Sequence, residues 1–469
     1  MAQAVGSEKM DLTHRLERGV MTNTPGGPAS TPASSPRLGR ALFYVHQQTQ
    51  VITDPVIKAK LGQLIAAGQA IGFAVTLKDQ KLLTGAMAIQ FAAQAGIGQQ
   101  RLITEVLPKL KQADLITYTL DVANASLATI EEFVGLSGRI IDQAMKVAEI
   151  YLPTDVELAV LHCTELASWA PLTMRQHAQQ LHSRGFTDSV IEEAMKLTLA
   201  AGVNQRVKSA DLGEHVIYNP NVWSAHHISI AAFLKGLPPA ERDSLLGLCE
   251  QAANSPGLVL HSYGSFQPGM LSSARKVGLV QAATVKSSVA SGQQTYVFSP
   301  MLESEDDKLQ TTEVLHQRKM FVAHILYGHE KAIAGRGRIL DPRVLVRALL
   351  RNGSVGPASN IASDYHLLEA NGIVAVRPSD ETPGRAYLEL VKQEIVEGGL
   401  GWIEASYSSG SGAGADLGSL KPPTDWTSPE ADRANMPDTG AAMEIAESAI
   451  LRLREARKEA ASAARYDAP

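Results

Sequence analysis

The stretch from Gly335 to Val391, GRGRILDPRVLVRALLRNGSVGPASNIASDYHLLEANGIVAVRPSDETPGRAYLELV, is dense in start and stop signals and leaves few ways to fold. Gly335 to Leu340 reads as a short β-like lead-in. Asp341-Pro342 sets a side-chain acceptor before a proline of preset φ, which opens a helix. Val344, Leu345, Ala348 and Leu349 recur at helical spacing until Asn352-Gly353 stops them. A second helix is predicted from Ala358 to Ala370, burying Ile361, Tyr365 and Leu368 and ending at the left-handed cap pair Asn371-Gly372. Ile373 to Arg377 alternates as a strand, Pro378 to Gly384 turns, and Arg385 to Val391 returns as a second strand.

Helix, turn, helix, strand, loop, strand is the order in which this stretch resembles the winged-helix superfamily. The resemblance implies a DNA-binding type of architecture, with the second helix as the probe of a major groove and the hairpin as the wing.

The pattern recurs in degenerate form three times upstream. Near the N-terminus, Pro55 to Ala70 reads as a helix and Ile71 to Leu77 as a strand-like run. The helix pair Lys81 to Ala95 and Gly98 to Gln112 follows, then a strand at Leu115 to Tyr118. The next copy runs from the helix Thr154 to Trp169 through two helices capped by Thr173 and Thr187 to strands at Val203 to Lys208 and His215 to Tyr218. The third has a helix at Pro239 to Ala253, a strand at Gly257 to His261 and a short helix near Gly269 to Lys276. A hairpin of Leu279 to Lys286 with Thr295 to Phe298 closes it. Each copy turns from helix into strand: KQADLITY, AAGVNQRV, RKVGLVQA and EANGIVAV. Three of these place glycine before the strand, where a left-handed residue reverses the chain. The copies lie roughly 75–95 residues apart and unevenly, unlike a solenoid of fixed period.

The expected fold is therefore mainly α with small β-hairpins, a tandem array of winged-helix-like units. They are placed at 41–150, 151–235, 236–304 and 305–404. Residues 1–40 are expected to be disordered, because their Pro, Gly, Ser and Thr bury too little apolar surface to offset ordering entropy. Residues 405–439 read as a flexible Gly/Ser/Pro linker. Residues 440–469 hold a final amphipathic helix, whose Met443, Ala446, Ile450 and Leu453 would dock on a protein partner or on a second copy of the chain.

Arg343, Arg347 and Arg351 fall at i, i+4 and i+8, one face of one helix. Arg336 and Arg338 precede them, and Arg377 and Arg385 flank the wing. Such a cationic face suits phosphate, whose neutralisation releases counterions. Ser359, Asn360, Ser363 and His366 on the second helix could reach base edges. The bland alternative is a solvated arginine face packed on another protein. A weaker basic set lies in the second unit: Arg175, His177, His182, Arg184, Arg206 and Lys208, offset by Glu192 and Glu193. Basic residues are sparser in the first unit (Arg101, Lys109, Lys111) and the third (Arg275, Lys276, Lys286).

The net charge is -5, so any nucleic-acid site must be a local patch. Cys163 and Cys249 are too few and too far apart for a disulfide framework or a metal knuckle, and read as core thiols. His324 and His329 miss the i, i+4 spacing of paired ligands, the GSGAGADLG run follows no strand, and neither a GxSxG motif nor a P-loop is present. No metal, no cofactor and no enzymatic activity are expected. No apolar run reaches membrane-spanning length and no signal peptide is apparent, which makes the cytoplasm the default. The function expected from these readings is a DNA-binding protein, probing double-stranded DNA as a homodimeric transcriptional regulator. The alternative is a winged-helix adaptor that binds protein partners in a chromosome-organising or replication-initiation complex.

Overall fold

The computed structural model describes residues 34–80, 82–121, 126–135, 137–209, 213–223, 239–266, 268–288, 292–300, 312–331, 339–408, 422–436, 447, 450–451 and 453–455. It is mainly helical, with four small antiparallel sheets of three or four strands.

One chain path is used four times. In the first unit, α2 (Pro55–Lys60) and α3 (Gly62–Leu77) lead into β1 (Leu82–Thr84) and α4 (Gly85–Gln94). Next come α5 (Gln99–Arg101), a π-turn (Leu102–Val106) and α6 (Leu107–Gln112), then β2 (Ile116–Asp121) and β3 (Ser126–Glu132). After α7 (Ser137–Tyr151), the second unit is α8 (Asp155–Trp169), β4 (Leu172–Thr173), α9 (Met174–Ser183), α10 (Asp188–Ala200), β5 (Gln205–Ser209) and β6 (Glu214–Tyr218). The third is α11 (Pro239–Asn254), β7 (Leu258–Val259), a 3-10 turn (Leu260–Tyr263), α12 (Pro268–Val277), β8 (Gln281–Ser287) and β9 (Gln294–Phe298). The long helix α13 (Thr312–Glu330) introduces the fourth unit. That unit is α14 (Pro342–Asn352), β10 (Ser354–Ala358), α15 (Ile361–Asp364), α16 (His366–Ala370), β11 (Val374–Pro378) and β12 (Ala386–Leu390), followed by α17 (Gln393–Ser408). In every unit the first strand pairs with the third and the third with the second.

Local chemistry accounts for much of this path. Thr154 and Thr173 each close a full capping box, with Glu157 and Gln176 respectively. The Asp341 side chain accepts from the Arg343 backbone N–H at 2.9 Å at the start of α14. Two or three residues before each unit's second strand the chain turns left-handed: Gly202 at φ 71, Gly278 at φ 85 and Gly372 at φ 65. Where the first unit lacks glycine, Asp114 takes φ 60. Asp is among the few side-chain-bearing residues that visit this region routinely.

The structure corrects several expectations. Ile71 to Leu77 is no strand but the second half of α3, buried on nearly every side; a short apolar run does not distinguish the two. The predicted helix from Lys81 begins with β1, and β3 was not expected. In the fourth unit, Ile339 and Leu340 form no strand, and residues 335–338 lie outside the described ones. The strand comes after α14, and the single helix predicted over Ala358–Ala370 splits at Tyr365 into α15 and α16. Within residues 1–40, helix α1 (Ser34–Thr49) is already formed from Ser34, packing on α3, α7 and α8. The expected linker 405–439 contains β13 (Pro423–Thr427), which extends the third sheet along β8, and α18 (Pro429–Asn435). In the C-terminal segment, Ile450 and Leu453 are fully buried in this chain's own core with Val216 and Leu248. Met443 and Ala446 lie outside the described residues.

Three apolar cores hold the units together. The first runs without interruption from Leu38 to Ile217, so the first two units share it. The second joins α13 and α17 to the fourth unit and to Tyr296 and Phe298 of the third sheet. The third joins the second and third units. Lys392, at the mouth of α17, is buried and donates to the Val75 carbonyl at 2.8 Å and to Gln317 at 3.1 Å, tying the fourth unit to α3 and α13. Burial pushes its ammonium down to about 7. Cys163 and Cys249 are both buried, and burial pushes each thiol up to about 12. Among the described residues, no helix is long and apolar enough to cross a membrane.

Candidate nucleic-acid interface

The structure places Arg343, Arg347 and Arg351 along α14 as the spacing requires, but answers two of them with carboxylates. Arg343 folds back on its own cap, Nε to Asp341 Oδ1 at 3.0 Å and Nη2 to Oδ2 at 2.7 Å. Those bonds hold the Asp341 carboxyl down at about 2. Arg347 gives Nε (3.0 Å) and Nη2 (2.6 Å) to one oxygen of Glu404 on α17. Arg351 is exposed and donates to the neighbouring amide oxygen of Asn352, at 3.2 Å. Arg336 and Arg338 lie outside the described residues.

The hairpin is present. On it, Arg377 reaches across to Glu389 (2.5 Å) and lies over the Tyr387 ring, 4.6 Å from its centre. Arg385, at the end of the loop, is exposed.

The polar set on the expected probe helix is mostly engaged in local structure. Ser359 is exposed, between β10 and α15. Asn360 is buried and donates to Asp364 at 3.3 Å. Ser363 donates to the Asn360 carbonyl and to Asp364, both at 3.0 Å. His366 is exposed, and its Nδ1 donates to the Ser363 carbonyl at 2.9 Å. More consequential is where α16 sits. This five-residue helix packs against β13 and α4, and Gln80 of the first unit donates to the Gly372 carbonyl just beyond it at 3.0 Å. The third helix of the fourth unit is an internal contact.

The other units answer their cations in the same way. Arg184 bonds His162 (2.7 Å) and Glu165 (2.9 Å), His182 pairs with Asp188 (2.6 Å), and His177 is wholly buried. Lys60 pairs with Glu193, and Arg101 lies 3.3 Å from Glu105. Lys109 sits 3.6 Å from the centre of the Tyr151 ring. Arg275 meets Asp432 at 2.5 Å, and Lys286 meets Asp425 at 3.3 Å. Arg206 and Lys208 on β5 are exposed. Among the described residues, no group of three or more His, Cys, Asp or Glu is placed to hold a metal ion.

Two residues at the start of α14 carry a signal that the spacing of its arginines does not. Leu340, just before the helix, and Val344, in its first turn, are 83% and 61% exposed, among the most exposed large apolar side chains of the described residues. Val344 shares one flank of α14 with Arg347 and Arg351, at i, i+3 and i+7, and Leu340 stands just ahead of its first turn. Exposure of Val344 could not be foreseen, because the same apolar spacing that buries Leu349 includes it. No protein-family model, curated protein or solved structure matches this chain, so its function rests on its own residues.

Proposed function

We propose that the chain is a tandem winged-helix protein that works as an adaptor, binding a protein partner through the outer face of α14. The shared path of helix, strand, two helices and two strands, with the third strand central, supports the winged-helix reading of all four units. The observation that carries the adaptor reading is the pair Leu340 and Val344, exposed beside Arg347 and Arg351. Protein interfaces are enriched in arginine and bury apolar surface at their centre, whereas a phosphate-binding face has no use for exposed leucine. The internal position of α16 argues the same way, since a probe helix held against β13 and α4 is not free to enter a groove.

Double-stranded DNA is the second reading, favoured by the exposed guanidinium groups of Arg351 and Arg385. One pair of measurements separates the two. The Leu340→Asp/Val344→Asp variant, with its circular dichroism unchanged, should lose a stoichiometric partner that co-purifies with the wild-type chain from its own cells. Fluorescence anisotropy with mixed-sequence duplex should show no binding that falls with added salt. Salt-dependent binding abolished by replacing Arg347, Arg351 and Arg385 with alanine would establish the DNA reading instead.

A further inference from the structure

The first and fourth units are joined around a buried lysine. Lys392 stands one residue ahead of α17 and is 3% exposed. Its Nζ donates to the Val75 carbonyl of α3 at 2.8 Å and to Gln317 Oε1 of α13 at 3.1 Å. Two more contacts close the same joint. Gln80 Nε2 donates to the Gly372 carbonyl at 3.0 Å, and Lys78 pairs with Glu394 of α17 at 2.8 Å.

The acceptors decide which protonation state fits. An ammonium brings three N–H donors and a neutral amine two. Lys392 meets two acceptors, both uncharged, and among the described residues no carboxylate stands within ion-pairing distance of its Nζ. The charged groups that face it are Glu313 in the first turn of α13, Lys78 and Asp79 just beyond α3, and Glu132 of β3. Glu394 follows in the first turn of α17. Most of these are engaged with one another. Lys78 lies 3.5 Å from Asp79 as well as against Glu394. Glu132 accepts from the backbone N–H groups of Asp79 (3.2 Å) and Val134 (2.8 Å). Desolvation outweighs the pull of these carboxylates, which is why the ammonium sits so far below its ordinary value. A proton added here leaves one charged N–H without an acceptor and away from water, which is costly.

We propose that Lys392 is a proton-operated latch between the two units. Deprotonated, it clips the fourth unit onto α3 and α13. Protonated, it favours an open joint in which the ammonium reaches water, and opening loosens the seat of α16 on α4. The direction follows from the two states. An open, solvated Lys392 keeps its proton up to about 10.5, whereas the closed joint gives it up near 7. Between those values closing releases a proton, so closure strengthens as pH rises and is weakest below neutrality. This inference goes beyond the adaptor reading and does not depend on what α14 binds.

Hydrogen exchange of the full chain from pH 6 to pH 9, corrected for the intrinsic exchange rate, tests it over residues 72–80 and 392–400. The opening equilibrium of these segments should fall about fiftyfold from pH 7 to pH 9, and change only about twofold from pH 6 to pH 7. Lys392→Met keeps the length and removes the proton, so its opening should be level between pH 7 and pH 9. Gln317→Glu sets a carboxylate against Nζ, holds the proton in the closed joint and should level the profile as well. That second variant decides the matter if Lys392→Met does not fold. A level profile in the wild-type chain would overturn the proposal, and so would a slope that persists in either variant.

Discussion

The second and fourth units have the same strand order and the same left-handed glycine before the second strand, yet they use their third helices in opposite ways. In the second unit that helix is α10, 13 residues long, with Glu192 and Lys196 on its solvent side. In the fourth it is α16, five residues long and pressed against α4 and β13. A shared path therefore does not carry a shared role. What a helix can contact is decided by its length, its charge and what already covers it.

The glycines expose that difference most sharply. At Gly372, an added Cβ would come within 2.6 Å of the Thr76 carbonyl oxygen of α3, a backbone atom with little freedom to yield. At the equivalent Gly202 the nearest atom is the Gln48 side-chain amide, at 2.9 Å, which can swing aside. Both positions carry the cost of a left-handed backbone, so Gly202→Ala should lose about 1 kcal/mol. Gly372→Ala should lose about 3 kcal/mol, because the fourth unit must also shift away from the first. Urea midpoints of the two variants check this. Equal losses would mean that the contact between α16's end and α3 contributes nothing.

How far such differences were legible depends on whether their causes are local. The capping boxes at Thr154 and Thr173, the stop at Gly353 and the reversals at Gly202, Gly278 and Gly372 depend on neighbouring residues, and each follows from a few letters of sequence. The strand β13 does not. Its residues read as linker until the β8 edge, more than a hundred positions earlier, pairs Trp426 with Val285. The pairing of Arg347 with Glu404 is likewise invisible, since the partners stand 57 positions apart. The short β1 hid in front of a helix, and α3 hid behind an apolar run that suits either kind of element. For the candidate site, the row of arginines was readable. The carboxylates that meet two of them, and the packing that occupies α16, were not.

Acid should separate the two units next. His162 and His177 of the second unit are buried, and desolvation lowers both, His177 to about 4. In the fourth unit's hairpin and short helices His366 is exposed; the buried His324, which burial also lowers to about 4, stands on α13, its ring 5.8 Å from that of Trp426. A histidine kept neutral in the fold but free to take a proton when unfolded contributes its full stability above the unfolded value near 6.5. That contribution drains away as pH falls from there towards the folded value. At pH 5.5 the loss is about 1 kcal/mol for His177 alone, since each tenfold difference in proton affinity between the folded and unfolded chain is worth about 1.4 kcal/mol. Hydrogen exchange between pH 7 and pH 5.5 should therefore show α8 and α9 losing protection before β11 and β12. Uniform loss, or loss that begins in the fourth unit, would contradict this.

The smallest effect concerns the arginines themselves. Arg347 and Glu404 are 59% and 39% exposed, so solvent screens their attraction, and fixing two long side chains opposes it. Arg347→Ala should change stability, read from the urea midpoint, by less than about 0.5 kcal/mol. Arg184 of the second unit, 12% exposed against a Glu165 that is 7% exposed, is a structural pair by contrast. A near-zero result at Arg347 means that its guanidinium can leave Glu404 for a carboxylate on a partner at little cost. A loss of about 2 kcal/mol or more, beyond what an exposed pair supplies, would make the pair a clasp between α14 and α17, and would remove Arg347 from any binding face, whether the partner were protein or DNA.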